Sequence, residues 1–156
     1  MNNASNLVAI NGPETERYGI DPQTQARRVL TFAIGGKAVL PPRREPPPAA
    51  QDAAFAPDPA REGRGAVGYA MHCATCHGSV VAGSTQAPDL RRSPMPADGA
   101  AFAQVVRSGA LEPRGMPRFG EFDDGKLEDI RQYVRAQTAQ LRGGYATSAP
   151  KVLRMQ

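Results

Sequence analysis

From about residue 60 the apolar positions fall at helical spacing, and before it they do not. The clearest stretch runs from Asp124 to Leu141, where Leu127, Ile130, Tyr133 and Val134 recur three and four residues apart and make one apolar stripe. Asp123 or Asp124 can cap this helix, and Gly143-Gly144 stops it. A second helix is predicted from Ala60 to Cys73, with Asp58 as N-cap and Pro59 in the first turn. A third is predicted from Ala100 to Gly109, with Phe102, Val105 and Val106 on one face. Gly- and Pro-rich loops separate the three.

Upstream the period changes to two. Val29, Thr31 and Ala33 alternate with Leu30, Phe32 and Ile34, Gly35-Gly36 suits a tight turn, and Ala38-Val39-Leu40 returns. This predicts a β-hairpin between Arg27 and Leu40, which alone would be marginal in water and so belongs with a larger sheet. Before it, Leu7-Val8-Ala9-Ile10 is an apolar run ended by Asn11-Gly12-Pro13. Residues 41–60 hold seven of the fifteen prolines, the composition of a stiff polyproline spacer. The expected division is therefore a hairpin segment over 1–40, a Pro-rich linker over 41–60, a helical domain over 61–142 and a flexible tail over 143–156.

Composition sharpens the picture. Aromatics are 6% of the chain and Trp is absent, so side chains alone would make a thin core. The net charge of +4 lies wholly after residue 60, where thirteen basic face nine acidic side chains. That surplus can steer docking to an acidic partner, but no basic run interleaved with aromatics supports nucleic-acid binding. No apolar run is long enough to span a membrane, and Met1-Asn2-Asn3-Ala4-Ser5-Asn6 does not read as a signal peptide.

The chemistry sits at Cys73-Ala74-Thr75-Cys76-His77, a C-x-x-C-H attachment signature for c-type haem. Two thiols three residues apart on one helical turn reach both vinyl groups of a porphyrin, and the adjacent histidine falls beneath the iron. A buried haem would supply the apolar surface that the sequence lacks. Periplasmic placement is expected, because covalent haem attachment is completed outside the cytoplasm. A redox dithiol would want the motif after a strand in a βαβ unit, and structural zinc would want four converging ligands. Cys73, Cys76, His72 and His77 supply no second ligand pair.

For the sixth iron ligand a methionine suits electron transfer, since its thioether raises the reduction potential. Met116, in Gly115-Met116-Pro117, is the leading candidate, and Met95, in Pro94-Met95-Pro96, the alternative. His72 is expected on the solvent side of its helix. The second ring nitrogen of His77 needs a partner, and the Pro88 carbonyl is the candidate. Leu90 would pack on the porphyrin, and Arg91 and Arg92 could pair with propionates or be merely solvated.

Gly65, Tyr69, Cys73-x-x-Cys76-His77-Gly78, Pro88-Asp89-Leu90, Gly115-Met116-Pro117 and Tyr133 together resemble a class I cytochrome c domain over residues 61–141. The resemblance implies a mainly α fold of three to four helices around one haem. Its first and last helices cross at Gly65, with Tyr69 and Tyr133 packing at the junction. Gly68 departs from the pattern, where Leu is common. The stretch from Arg27 to Pro42 is similar to the end of the β-propeller in quinohaemoprotein alcohol dehydrogenases, enzymes that use pyrroloquinoline quinone (PQQ). There a Pro-rich linker joins the propeller to a C-terminal cytochrome domain. That resemblance implies an electron-transfer segment of an oxidoreductase, with PQQ and calcium bound in an upstream or partner domain. The electron donor would be a quinoprotein dehydrogenase, and the acceptor a soluble cytochrome, a copper protein or a respiratory chain. No catalytic residue is expected in the chain itself. A free-standing periplasmic carrier, or a haem enzyme or gas sensor with an open sixth site, are the other readings of the same residues.

Overall fold

The computed structural model describes residues 29, 31–39, 42, 45–84 and 86–143. Among these residues four helices come in order: α1 (Pro59–His72), the single turn α2 (Ala74–His77), α3 (Gly99–Val106) and α4 (Asp124–Leu141). Among the same residues three 3-10 turns, Leu90–Arg92, Met95–Ala97 and Glu112–Arg114, punctuate the loops. The architecture is mainly helical, and the described residues contain no strand.

Each long helix begins where a side chain can satisfy its first free amides. Asp58 accepts from Arg61 N at 3.0 Å to start α1, with Pro59 already in the first turn. Asp98 accepts from Ala100 N and Ala101 N to start α3, one residue earlier than the periodicity suggests. Of the two aspartates before α4, Asp123 is the cap, accepting from Lys126 N at 2.7 Å. Beyond α4, Gly143 takes the positive φ of 77° that ends it.

α1 and α4 cross at Gly65. A Cβ there would lie 1.9 Å from the Asp129 carbonyl oxygen and 2.9 Å from Tyr133 Cβ, so only glycine lets the backbones approach this closely. One turn on, the Tyr69 and Tyr133 rings pack with centroids 5.3 Å apart. Gly68 also has a place in this junction, since Ile130 fills the space a side chain would take, its Cγ1 3.0 Å from the Cβ position. The stripe of Leu127, Ile130, Tyr133 and Val134 joins Tyr69, Val81, Phe102, Val106 and Phe122 in one buried core.

Two parts of the chain before α1 differ in setting. Between Ala33 and Gly36 there is a turn, with Gly36 N–H donating to Ala33 O at 3.0 Å and Gly35 at φ 76°. The expected hairpin strands are not seen among the described residues. Val29, Phe32, Ile34 and Val39 have no core to enter and stand almost fully exposed. From Pro47 onward, in contrast, the Pro-rich segment lies on the helical domain. Arg92 donates to the Pro47 carbonyl, Ala50 N–H to Arg91 O at 2.9 Å, and Gln132 Nε2 to Ala56 O at 2.6 Å. Arg135 grips both oxygens of Asp52, at 2.6 and 3.1 Å, and lies over the Phe55 ring.

Candidate functional site

The site begins where α1 ends. Cys73 N–H still donates to Tyr69 O at 2.8 Å, while the Cys73 carbonyl accepts from Cys76 N at 3.2 Å and His77 N at 2.9 Å. One tight turn therefore carries Cys73, Cys76 and His77 together. Neither cysteine is in a disulfide; Cys73 is half-buried and Cys76 exposed. Burial pushes the Cys73 thiol up to about 11. The phenol of Tyr69 donates to Gly78 O at 2.7 Å and fixes the end of the turn. Gly78 has φ 80°, which turns the chain out of the helix.

His77 is buried, and its Nδ1 lies 3.1 Å from Pro88 O. The loop that brings Pro88 there closes on itself. Gly83 N–H donates to His77 O at 2.7 Å and Leu90 N–H to Val81 O at 3.1 Å. Gly83, at φ 80°, passes so near the returning strand of chain that a Cβ would meet Asp89 N at 2.5 Å. Burial pulls the His77 pKa below its ordinary value, and the Pro88 contact pulls the other way. Neutral imidazole is the metal-binding form, and with Nδ1 facing a carbonyl it is Nε2 that can reach a metal. Nε2 has no hydrogen-bond partner among the described residues.

Asp89 organises the chain just beyond Pro88. Its carboxylate accepts from Arg91 N at 3.0 Å, Arg91 Nε and Nη2 at 2.9 Å each, and Arg92 Nε at 3.0 Å. Arg91 is buried in this fork. Leu90 is half-buried against the core, as are Cys73, Ala74, Met95, Met116 and Phe119. Met116 comes directly after Gly115, whose φ of 89° reverses the chain after the third 3-10 turn. Met71 is exposed.

His72 does not face solvent as its position suggested. It is half-buried, edge-on to Phe122 and Phe119 with centroids 5.0 and 5.9 Å away, and Lys126 Nζ is 3.0 Å from its Nε2. The aromatic pair 119 and 122 stacks at 5.0 Å, so His72 completes an aromatic cluster at the end of α1. Asp89 and Tyr69 are the positioning residues that sequence reasoning gave no role at the site. Their signal was adjacency, Asp89 lying within the Pro88–Leu90 motif and Tyr69 one helical turn before Cys73.

The donor set suits a haem better than a bare ion. Among the described residues no three His, Cys, Asp or Glu side chains converge on a point. A neutral imidazole, two unpaired thiols on the same turn and a rim of half-buried apolar side chains that includes two thioethers would fit an apolar macrocycle carrying iron.

Residues 60–134 match the family described as cytochrome c oxidase, cbb3-type, subunit III. Known proteins similar to the chain include quinohemoprotein alcohol dehydrogenase ADH IIB of Pseudomonas putida, 36% identical over 70% of this chain and 16% of that protein. The dehydrogenase subunit of alcohol dehydrogenase (quinone) from Gluconobacter oxydans (strain 621H) is 34% identical over 69% of this chain and 14% of its own length. That from Komagataeibacter europaeus is 35% identical over 69% and 15%. The chain thus spans about a sixth or less of the length of these relatives.

Proposed function

Residues 60–134 belong to the cytochrome c family, and from that premise we propose that the chain holds one haem c covalently at Cys73 and Cys76. His77 and Met116 would hold its iron, with Pro88, Leu90 and Arg91 completing the site. The observation that carries this reading is the His77–Pro88 pair. A buried histidine at the end of the two-cysteine turn, with Nδ1 directed at a carbonyl 3.1 Å away, has its Nε2 left for iron.

The bound group supplies a one-electron iron couple, and the chain's residues set its surroundings. Pro88 O orients the His77 ring and raises its basicity. A thioether from Met116 favours the reduced iron, which suits a carrier rather than an open-site sensor. Leu90 and the core around Tyr69 keep water from the ring. Arg91 and Arg92, which both close on the Asp89 carboxylate beside Leu90, carry the sign of charge that a propionate requires.

The electron donor in this proposal is a PQQ- and calcium-containing alcohol dehydrogenase core, in an upstream domain or a partner subunit. The alcohol dehydrogenase part reflects what the similar proteins are named for, together with the order of turn, Pro-rich segment and haem domain. The exposed Val29, Phe32, Ile34 and Val39 suit a hairpin that pairs with that core's sheet. Electrons leave to a soluble cytochrome, a copper protein or a respiratory chain. The compartment is the periplasm, and no helix among the described residues is long and apolar enough to cross a membrane.

The test is optical. Protein matured with haem should keep the pigment after denaturation, and Cys73→Ala with Cys76→Ala should lose it. The weak red charge-transfer band of thioether-bound ferric haem should vanish in Met116→Ala and survive in Met95→Ala. The reverse pattern would move the sixth ligand to Met95, and no band in the unaltered protein would favour an open site.

A further inference from the structure

We infer that the Pro47–Ala56 stretch is a strap that positions the axial histidine, with Asp52 and Arg135 as its anchor. The inference rests on the haem reading of His77 above. A chain of contacts runs from the strap to the ring. Arg135 holds the Asp52 carboxylate through two hydrogen bonds, and both side chains are 8% exposed. Two residues before Asp52, the Ala50 amide donates to the Arg91 carbonyl at 2.9 Å, and further back Pro47 O accepts from Arg92. Arg91 and Arg92 both close on Asp89. Asp89 is joined to Pro88, whose carbonyl faces His77 Nδ1 at 3.1 Å.

The strap thereby supports, from outside, the loop that the axial histidine leans on. Gly83 supports the same loop from inside, where a Cβ would strike Pro88 C at 2.8 Å. With both sides occupied, Pro88 O has little freedom to move away from the imidazole. A His77 N–H well bonded to this carbonyl makes the ring a stronger donor to iron and favours the ferric state. Releasing the strap lengthens that bond and raises the reduction potential. From Pro47 onward the segment is part of the haem's support as well as a connection to whatever precedes it.

Coupling of this kind is reciprocal. If the strap biases the oxidation state, the oxidation state must bias the strap by the same free energy. The test is hydrogen exchange at the Ala50 amide of the haem-loaded chain, in its ferric and ferrous forms. Its protection should be greater in the ferric form. Asp52→Asn should speed exchange at Ala50 severalfold and raise the midpoint potential, while Asp52→Glu restores both. Equal Ala50 protection in the two oxidation states overturns the inference. So does an Asp52→Asn protein whose strap exchanges freely at an unchanged potential. If Asp52→Asn fails to fold, the comparison of oxidation states in the unaltered chain still decides. Failure of the haem reading is distinct: it would appear as absent pigment or altered axial ligation, not as an indifferent strap.

Discussion

Gly65 in α1 and Asp129 in α4 meet backbone to backbone, with the Asp129 carbonyl oxygen 1.9 Å from where a Gly65 side chain would begin. The same Asp129 uses its carboxylate to bind back to α1, accepting from Arg61 Nη1 at 3.1 Å and from Arg64 at 2.6 and 3.0 Å. The helix crossing is thus held by a missing side chain on one side of the contact and by a charged one on the other. Gly65→Ala should cost about 3 kcal/mol or more, since the obstacle is main chain and cannot rotate aside. Urea denaturation of the haem-loaded protein measures this directly, and a loss under about 1 kcal/mol would show that the helices can separate cheaply.

Gly68, one turn later, should behave differently. The nearest atom to its Cβ position is Ile130 Cγ1 at 3.0 Å, a side chain with room to adjust. Alanine there gains about 1 kcal/mol of helix propensity and loses a comparable amount in crowding. Gly68→Ala should leave the stability in urea within about 1 kcal/mol of the parent. Gly68→Leu would collide with Ile130 and should be clearly destabilising.

Tyr69→Phe removes the buried bond from the phenol to Gly78 O. The loss should be about 1 kcal/mol, the worth of one buried hydrogen bond, because Gly78 O still accepts from Val81 N at 3.3 Å. Thermal unfolding of the ferric protein checks it, and an unchanged midpoint would mean that another donor replaces the phenol.

Much of this arrangement was legible in the residues. The apolar stripe of α4 and the apolar face of α3 could be read from spacing, and the starts of α1 and α4 from Asp58 and from the Asp123-Asp124 pair, local signals within a turn of the element they begin, whereas the Asp98 cap of α3 was not. The end of α1 at His72 and the extra turn α2 were less visible, because the two-cysteine motif forms its own turn rather than extending the helix. The strap was illegible for a physical reason. Proline content describes how stiffly a segment moves, not whether something further along the chain receives it, and Asp52 and Arg135 are 83 residues apart with no periodicity connecting them. His72 was misplaced for a similar reason: its partners Phe119, Phe122 and Lys126 come from much later in the chain, Lys126 54 residues on.

Asp52 also gives the strap a pH dependence. The hydrogen bonds from Arg135 hold its carboxyl below the ordinary value of 3.8, with partial burial opposing them. A folded-state pKa below the unfolded one means that folding is favoured while the group is ionised. The contribution is complete above the unfolded pKa and is lost as pH falls through the folded one. Replacing Asp52 with Asn removes the charge at every pH, so the variant should be weaker by about 2 kcal/mol at neutral pH, the worth of a charged hydrogen bond. The gap between variant and parent should hold steady from pH 7 to about pH 5 and narrow below about pH 4, where the parent's own carboxyl becomes protonated. Urea titrations of both proteins across that range, at constant salt, provide the measurement. A gap that persists undiminished at the acid end would mean that Asp52 acts through its shape and hydrogen-bonding capacity, and not through its charge.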